Sequence, residues 1–217
     1  VKNIETGIEE ELIFSDEEVC VPNISLRQKD KNTDEIYIGY SSPKTPARAY
    51  LYNLLNKSKK LVKEQVIPSG HDPDNYIVER IEFKSHDGRL VPLTITRHKD
   101  TKLDGTANLL LYGYGSYGNS LSPNFSSTKL SLINRNIIWV TAHIRGGMEK
   151  GMKWWKEGKL TNKKNTFEDY IHAAKYLINN KYTSKAKIIG MGGSAGGLLM
   201  GAVANQSPEL FLGIIMA

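Results

Sequence analysis

The chain has 217 residues, enough for one or two domains, and its 40% hydrophobic and 24% charged residues are typical of a soluble globular protein. No apolar run reaches the roughly 18 residues that a transmembrane helix needs, and residues 1–11 are too polar and acidic for us to expect a signal peptide. The net charge of +6 comes from scattered lysines without a nucleic-acid-binding motif, so we expect neither a nucleic acid nor a membrane as partner. Cys20 is the only cysteine, which excludes an internal disulfide and favours a reducing, cytoplasmic location.

Residues 1–70 are predicted to be all-β. Short apolar runs alternate there with turn-rich stretches, at a spacing typical of propeller blades. The predicted strands cover residues 11–14, 18–21, 35–40 and 49–52. Pro43 and Pro46 exclude a regular strand interior between the last two of these. The region therefore resembles one or two blades of a β-propeller, too few to close a ring.

After a linker predicted at 68–75, strands and helices alternate along the chain. Strands are predicted at 76–83, 90–96, 108–112, 137–144 and 187–190, with one more beginning at 213, and helices at 127–134, 165–180 and 195–205. In the helix at 165–180, Thr166 and Asp169 match a capping box, and an apolar stripe at helical spacing is predicted to face the core. The alternation predicts a parallel sheet with helical crossovers, which is the α/β class.

A serine flanked by glycines connects the last complete predicted strand to the helix at 195–205. Residues 192–196 have the pattern G-x-S-x-G, the nucleophile elbow of α/β-hydrolases, in which a sharp turn holds the serine hydroxyl clear of the sheet. Gly192 and Gly196 have no β-carbon, so the strand and the helix can pass closely. The N–H of Ala195, at the start of the helix, can donate to an oxyanion. Ser194 is therefore the candidate nucleophile.

The alternative interpretation of this segment is a phosphate-binding loop. The elbow pattern alone is not specific, because a chain with 19 glycines can contain it by accident. However, no Lys-Ser/Thr pair follows the glycines, and residues 192–197 lack the G-x-G-x-x-G spacing of a dinucleotide site. The strand before Ser194 and the helix after it support the elbow.

Four segments resemble, in the same order, the prolyl oligopeptidase family of serine peptidases. They are LYGYGSYG at 111–118, AHIRGG at 142–147, KKNTF at 163–167 and GGSAGGLLMG at 192–201. The resemblance implies a truncated α/β-hydrolase catalytic domain, preceded by the last blade or blades of a β-propeller. It implies a propeller remnant at 1–70 and the N-terminal portion of the catalytic domain at 71–217. It also implies cleavage of short peptides, after Arg or Lys in the branch of the family that these motifs resemble.

The family motifs imply roles for three residues of the site. Ser194 takes the position of the nucleophile, and Tyr114 takes that of the tyrosine whose hydroxyl joins the backbone N–H of Ala195 in the oxyanion hole. One such donor stabilises the transition state by about 3 kcal/mol. The residues alone also allow Tyr114 to be a packing residue at the edge of the core, and Tyr112 is assigned to packing. The loop at 145–157 is interpreted as scaffold.

The acid and the base of the triad follow the serine in this fold, and 23 residues follow Ser194. We therefore expect the triad Asp and His to be absent from this chain. All five histidines precede Ser194: His71, His86, His98, His143 and His172. His143 stands at the end of a predicted strand and is considered as a base, but a structural role is favoured. No metal-ligand spacing and no nucleotide loop occur, so neither a metal nor a cofactor is expected.

The leading hypothesis is a serine endopeptidase that hydrolyses short basic peptides after Arg or Lys through an acyl-enzyme on Ser194. Without the Asp and His, the chain alone is expected to be inactive, and a complementary C-terminal chain is the partner that would complete it. A piece of a longer protein, an interrupted gene product and half of a split enzyme all fit, and an inert remnant is the non-enzymatic alternative. An esterase-type α/β-hydrolase is less favoured, because Tyr-Gly-Tyr-Gly stands in place of a His-Gly-Gly oxyanion motif.

Overall fold

The structure, a computed structural model, describes residues 2–12, 15, 17–24 and 33–217, and the strands among them form two sheets. The first sheet is antiparallel, in the order β1-β2-β3-β4. Its strands are β1 (Val21–Ile24), β2 (Glu35–Ser41), β3 (Arg48–Asn53) and β4 (Lys59–Glu64). A four-stranded sheet of this kind is the unit of a propeller blade.

Two strands of the first sheet agree with the sequence prediction, and a third is not predicted. β2 and β3 confirm the strands predicted at 35–40 and 49–52. The sequence does not predict β4, because all six of its residues are exposed and four of them are charged, so no alternation of apolar and polar side chains marks it. Its pairing with β3 alone defines it as a strand.

The two earliest predicted strands need correction. Residues 11–12 are not in a strand, and residues 13–14 lie outside the described part of the chain. The strand predicted at 18–21 begins only at Val21, where pairing with β2 starts opposite Ser41. Apolar character alone therefore misplaces this strand, since a strand exists only where a neighbour accepts its hydrogen bonds.

The second sheet has the order β10-β9-β7-β8-β6-β5. Its strands are β5 (Tyr76–Lys84), β6 (Leu90–His98), β7 (Leu109–Gly113), β8 (Ile138–Ala142), β9 (Ile188–Gly192) and β10 (Phe211–Met216). β7, β8, β9 and β10 are parallel, whereas β5 and β6 form an antiparallel hairpin and β6 pairs antiparallel with β8. The α/β alternation predicted after residue 76 is confirmed.

Four α-helices accompany the second sheet. They are α1 (Ser127–Ile133), α2 (Met152–Lys156), α3 (Lys164–Asn179) and α4 (Ala195–Gln206), with 3-10 turns at Pro73–Asn75, Leu160–Asn162 and Pro208–Leu210. The three predicted helices correspond to α1, α3 and α4, and α2 is an addition that the sequence does not predict. Among the described residues, no helix is both long enough and apolar enough to span a membrane.

The main core lies between the second sheet and its helices. Its parallel strands are apolar almost throughout, as expected of strands covered on both faces, and Leu109, Leu111 and Ile188 are fully buried. Tyr170 on α3 is fully buried as well, and its hydroxyl donates to the backbone carbonyl of Leu111 at 2.5 Å. This bond ties α3 to the middle of β7, one strand away from the turn that carries Ser194.

The capping box predicted for α3 is wrong. The helix begins at Lys164, and among the described residues no side chain caps it. Thr166 Oγ1 instead donates to the backbone carbonyls of Arg145 at 2.8 Å and Gly158 at 3.1 Å, and the Asp169 carboxylate accepts hydrogen bonds from Arg145. Both side chains are fully buried, so they satisfy polar groups of a neighbouring loop and are unavailable to the helix's own N–H groups.

Candidate active site

Ser194 lies at the turn between β9 and α4, as the elbow pattern predicts. β9 ends at Gly192 and α4 begins at Ala195, which leaves two residues for the change of direction. Ser194 has φ 55° and ψ −120°, a positive φ that a residue with a β-carbon seldom adopts, and its side chain is exposed. Backbone strain of this kind persists only where the surrounding structure enforces it, and it is often found at functional sites.

The glycines around Ser194 are required by close backbone contacts. A β-carbon on Gly192 would lie 2.5 Å from the carbonyl oxygen of Gly196 and 3.1 Å from that of Gly113. A β-carbon on Gly196 would lie 3.0 Å from the same Gly113 oxygen. The end of β9, the first turn of α4 and the end of β7 therefore meet at a distance that only glycine permits, which agrees with the role assigned to these residues from sequence.

Ala195 occupies the first position of α4. The next two N–H groups, of Gly196 and Gly197, donate to the carbonyls of Gly193 at 2.7 Å and Ser194 at 2.8 Å. The N–H of Ala195 precedes them, at a helix position for which the helix itself offers no acceptor.

Tyr114 follows the last residue of β7, the strand that pairs in parallel with β9. The carboxyl ends of parallel strands meet at one edge of a sheet, so Tyr114 and Ser194 leave the sheet at the same edge. The Tyr114 ring is half-buried, and its Cδ2 atom would lie 3.5 Å from a β-carbon on Gly196. Tyr112 points elsewhere: it packs in the apolar cluster around Trp139, with the two rings 6.3 Å apart.

The segment after Tyr114 is held by a lysine whose function the sequence does not reveal. The Lys163 ammonium donates to the carbonyl of Gly115 at 2.6 Å and to Ser116 Oγ at 2.8 Å. Burial lowers the pKa of Lys163 to about 8. Lys163 belongs to the KKNTF motif, so the sequence marks it as a residue of interest. Its contacts with Gly115 and Ser116 cannot be read from the motif, because these residues lie 48 and 47 positions earlier in the chain.

The loop that follows β8 is organised by a buried arginine. The Arg145 guanidinium is 1% exposed and bonds Asp169 at 2.6 and 2.8 Å and Asp87 at 2.6 Å. Burial disfavours its charge, but the hydrogen bonds to the two carboxylates outweigh this and raise the pKa of Arg145 above its usual range. Trp154 on α2, in the same segment, donates from Nε1 to the His143 carbonyl at 3.0 Å. These contacts agree with the scaffold role expected for residues 145–157.

His143, the histidine considered as a base, is buried beside this scaffold. It is 1% exposed, and its Nε2 lies 2.8 Å from Thr94 Oγ1. Its Nδ1 lies 3.5 Å from the Glu149 carboxylate. Burial lowers the pKa of His143, so the imidazole is neutral near pH 7. The surroundings are those of a structural histidine, as the sequence interpretation favours.

The other four histidines occupy two further places. The rings of His71 and His98 both pack against Tyr76, with centroids 5.2 and 5.9 Å away. The rings of His86 and His172 lie 5.8 Å apart. Within the described part of the chain, the hydrogen bonds of the histidines go to other residues and none reaches Ser194. The described residues thus give Ser194 no imidazole partner.

Comparison with known proteins identifies relatives for most of the chain. Residues 123–217 match the model of the prolyl oligopeptidase family. Dipeptidyl aminopeptidase BI of Pseudoxanthomonas mexicana is 44% identical over 183 residues, which are 84% of this chain and 25% of that protein. Protease 2 of Moraxella lacunata is 41% identical over 192 residues, which are 88% of this chain and 28% of that protein. The chain spans about a quarter of the length of these curated relatives.

Solved structures resemble the fold over nearly the whole chain. Oligopeptidase B from Leishmania major superposes with a TM-score of 0.84 at 37% identity, covering 94% of this chain and 28% of that one. Oligopeptidase B from Trypanosoma brucei, in a closed form with covalently bound antipain, has a TM-score of 0.85 at 36% identity and covers 94% and 29%. The fold class, part of an α/β-hydrolase domain preceded by propeller strands, is confirmed by these neighbours. Together the matches confirm the predicted resemblance to the prolyl oligopeptidase family of serine peptidases, with oligopeptidase B among the similar proteins.

Proposed function

We propose that this chain carries the nucleophile and the oxyanion hole of a serine peptidase of the prolyl oligopeptidase family. The observation that carries the proposal is Ser194: an exposed serine with φ 55° at the turn from β9 into α4. A nucleophile must be accessible and rigidly held, and the glycine contacts on both sides of this turn supply the rigidity.

The proposed chemistry is acyl transfer. Ser194 Oγ attacks the scissile carbonyl carbon and gives its proton to the general base, and the carbonyl oxygen takes up the negative charge of the tetrahedral intermediate. Collapse of the intermediate breaks the C–N bond, leaves the acyl group on Ser194 and releases the amine, which takes up that proton. The N–H of Ala195 and the hydroxyl of Tyr114 donate to that oxygen. The lysine contact at Gly115 and Ser116 limits how far the segment carrying Tyr114 can move. Each donor that stabilises charge only in the transition state lowers the activation free energy by about 3 kcal/mol and so raises the rate constant.

The base and its acid are proposed to come from outside these 217 residues. Ser194 needs a general base to accept its proton, and the five histidines of the chain make their described contacts elsewhere. In α/β-hydrolases the acid and the histidine follow the serine in chain order. We therefore propose that the isolated chain is inactive, and that a complementary C-terminal segment bearing Asp and His, in the same or another chain, completes it.

The proposed domain division follows the two sheets. Residues 1–70 would be the last part of a β-propeller, and residues 71–217 the N-terminal portion of the catalytic domain. β1–β4 lie before the boundary and β5–β10 after it, which supports this division. Phe125 donates from its backbone N–H to Ser41 Oγ at 3.1 Å, so the two parts are in contact. Cys20 is a free thiol, on which we base the proposal of a reducing, cytoplasmic location.

The proposed substrates are short peptides, cleaved after Arg or Lys. This preference rests on the likeness to Protease 2 at 41% identity and to oligopeptidase B at 37%. Relatives with other names define the alternatives: dipeptidyl aminopeptidase BI at 44% and the prolyl endopeptidase of Elizabethkingia meningoseptica at 34%. Arginyl, prolyl and free-amino-terminal dipeptidyl fluorogenic substrates, assayed side by side on the completed enzyme, would distinguish the three.

The central experiment combines activity with active-site labelling. The purified 217-residue chain is expected to show no turnover of an arginyl substrate and negligible labelling by a fluorophosphonate. Addition of a separately produced C-terminal segment carrying Asp and His is expected to restore both, and Ser194→Ala is expected to abolish both again. Turnover by the isolated chain that depends on Ser194 would contradict the proposal, because one of its own histidines would then be the base. Failure of every added segment to restore labelling would favour an inert remnant.

A further inference from the structure

A group of side chains of types that can bind a metal lies where the β5–β6 turn meets α3, at residues with no part in the proposed chemistry. His86 stands in the turn between β5 and β6, and Glu168 and His172 stand one helical turn apart on α3. One ligand atom of each, a ring nitrogen or a carboxylate oxygen, lies within 4.8 Å of the others. His86 is exposed and the other two are half-buried, so ions can reach the group from solvent.

Both imidazoles are oriented by hydrogen-bond acceptors at Nδ1. His172 Nδ1 lies 2.9 Å from the backbone carbonyl of Glu168, so an Nδ1–H donates there. His86 Nδ1 lies 3.2 Å from Ser85 Oγ, and that hydroxyl already donates its own proton to Asp169 at 2.6 Å, which leaves it as an acceptor. Each ring then carries its lone pair on Nε2. Metal-binding histidines are oriented in this way, by a partner for the second ring nitrogen.

The elements that carry the three side chains are fixed to one another by buried contacts. Ser85 and Asp87, on either side of His86, bond Asp169 and Arg145 respectively. Asp169 follows Glu168 on α3, so the His86 turn and the α3 surface share one buried network. A metal site needs ligands on rigid supports, since a loose site loses affinity to the entropy of ordering its ligands.

We propose that His86, Glu168 and His172 form a zinc-binding site with three protein ligands and a fourth position for water. Two imidazoles and one carboxylate match the ligand types that zinc takes, and imidazole nitrogen selects against magnesium and calcium. Tetrahedral zinc with bonds of about 2.0–2.2 Å places its ligand atoms roughly 3.4 Å apart. Rotation of the exposed His86 side chain and of the Glu168 carboxylate, which now lies 3.6 Å from His172 Nδ1, brings the ligand atoms from the 4.8 Å limit to this spacing around Nε2.

The sequence gives no sign of this site, because His86 and Glu168 are 82 positions apart and only the Glu-x-x-x-His pair is local. The absence of a metal-ligand spacing therefore does not exclude a metal. A bound ion would connect the β5–β6 turn to α3, in addition to the buried hydrogen bond between Ser85 and Asp169. It would stabilise the folded chain and leave Ser194 untouched.

Zinc titration of the 217-residue chain tests the proposal. The Cys20→Ser chain is the parent, because a free thiol can itself bind zinc. Isothermal titration calorimetry is expected to give one zinc ion per chain, and His86→Gln and His172→Gln are each expected to weaken binding by at least about tenfold, in the range found when metal sites lose an interaction. His98→Gln is the matched control, since His98 packs on Tyr76 in another part of the chain. Circular dichroism spectra establish that every variant is folded.

Two further measurements do not depend on the variants. Cobalt is expected to bind competitively with zinc and to give the visible absorption of a tetrahedral nitrogen–oxygen site. Zinc at about 100 times its dissociation constant is expected to raise the melting temperature of the parent by about 5–10 °C. Unchanged zinc affinity in both His86→Gln and His172→Gln would overturn the proposal, as would binding that disappears in the Cys20→Ser parent. Neither result would bear on Ser194.

Discussion

The two sheets of this chain differ in how much of them is buried. In the second sheet, four of the five residues in β7 and four of the five in β8 are buried. In the first sheet, β1 and β4 contain no buried residue. Packing and desolvation produce the largest energies in folded proteins, so the same chemical change should cost far more around the second sheet than in the first. Matched substitutions in the two regions can test this difference.

The largest expected effect comes from two arginine ion pairs. Arg145 is buried against Asp169, so Arg145→Met leaves a buried carboxylate without its partner and should lower the free energy of unfolding by about 3–5 kcal/mol. Arg48 pairs with Glu64 at 2.6 Å between β3 and β4, where both side chains are partly exposed. Arg48→Met should cost no more than about 1 kcal/mol.

Urea denaturation of the two variants, followed by circular dichroism, measures both costs. The unfolding midpoint should fall strongly for Arg145→Met and little for Arg48→Met, with similar slopes. Equal losses would show that the first sheet is as strongly constrained as the second, and the comparison of the two regions would fail.

The next effect separates packing from chemistry at the end of β7. Tyr114→Phe removes a proposed oxyanion donor and should lower the acylation rate of the completed enzyme about a hundredfold. Tyr112→Phe removes a hydroxyl from a ring that packs near Trp139 and should leave the rate constant close to that of the parent. Single-turnover kinetics with an activated ester measures acylation directly. An unchanged rate in Tyr114→Phe would return Tyr114 to a packing role.

How much the sequence predicts also differs between the two sheets. Runs such as 108–112 and 187–190 are apolar because both of their faces are covered, so a local pattern is enough to identify them. The elbow is local as well, because strand, turn and helix follow each other within residues 188–206. By contrast, β4 is a strand only because β3 pairs with it.

The roles of several polar residues depend on contacts between distant parts of the chain. Thr166 and Asp169 match a capping box in sequence, but the Asp169 carboxylate accepts a hydrogen bond from the buried Arg145, 24 residues earlier in the chain. The Lys163 ammonium reaches Gly115 across 48 positions. Burial makes such contacts obligatory, because a buried charge without a partner is costly, and no local pattern reports which partner will be found.

A smaller effect is expected from two glycines, one in each sheet. A β-carbon on Gly192 would meet the backbone oxygen of Gly196 at 2.5 Å, so Gly192→Ala should cost about 1–3 kcal/mol and displace Ser194. A β-carbon on Gly39 of β2 would lie 3.6 Å from the nearest atom, an ordinary contact. Gly39→Ala should therefore change stability by less than about 0.5 kcal/mol. Denaturation midpoints give both values, and a neutral Gly192→Ala would show that β9 and α4 can separate.

The last comparison is a pH dependence that differs between two lysines. Burial lowers the pKa of Lys163 to about 8 from an ordinary value of 10.5, so the folded chain binds fewer protons than the unfolded chain between these values. The stability difference between the parent and Lys163→Met should therefore shift in favour of the parent as the pH rises through 8 toward 10.

Lys57 is exposed, and its hydrogen bond to Glu10 raises its pKa above 10.5. Its contribution is fully present below 10.5, so the difference between the parent and Lys57→Met should stay constant from pH 7 to 10. Urea denaturation at unit pH steps gives both differences, and other titrating groups cancel because each variant shares them with the parent. A constant difference for Lys163→Met would mean that the Lys163 ammonium is as well solvated as that of Lys57. The contact that holds the Tyr114 segment would then be open to water.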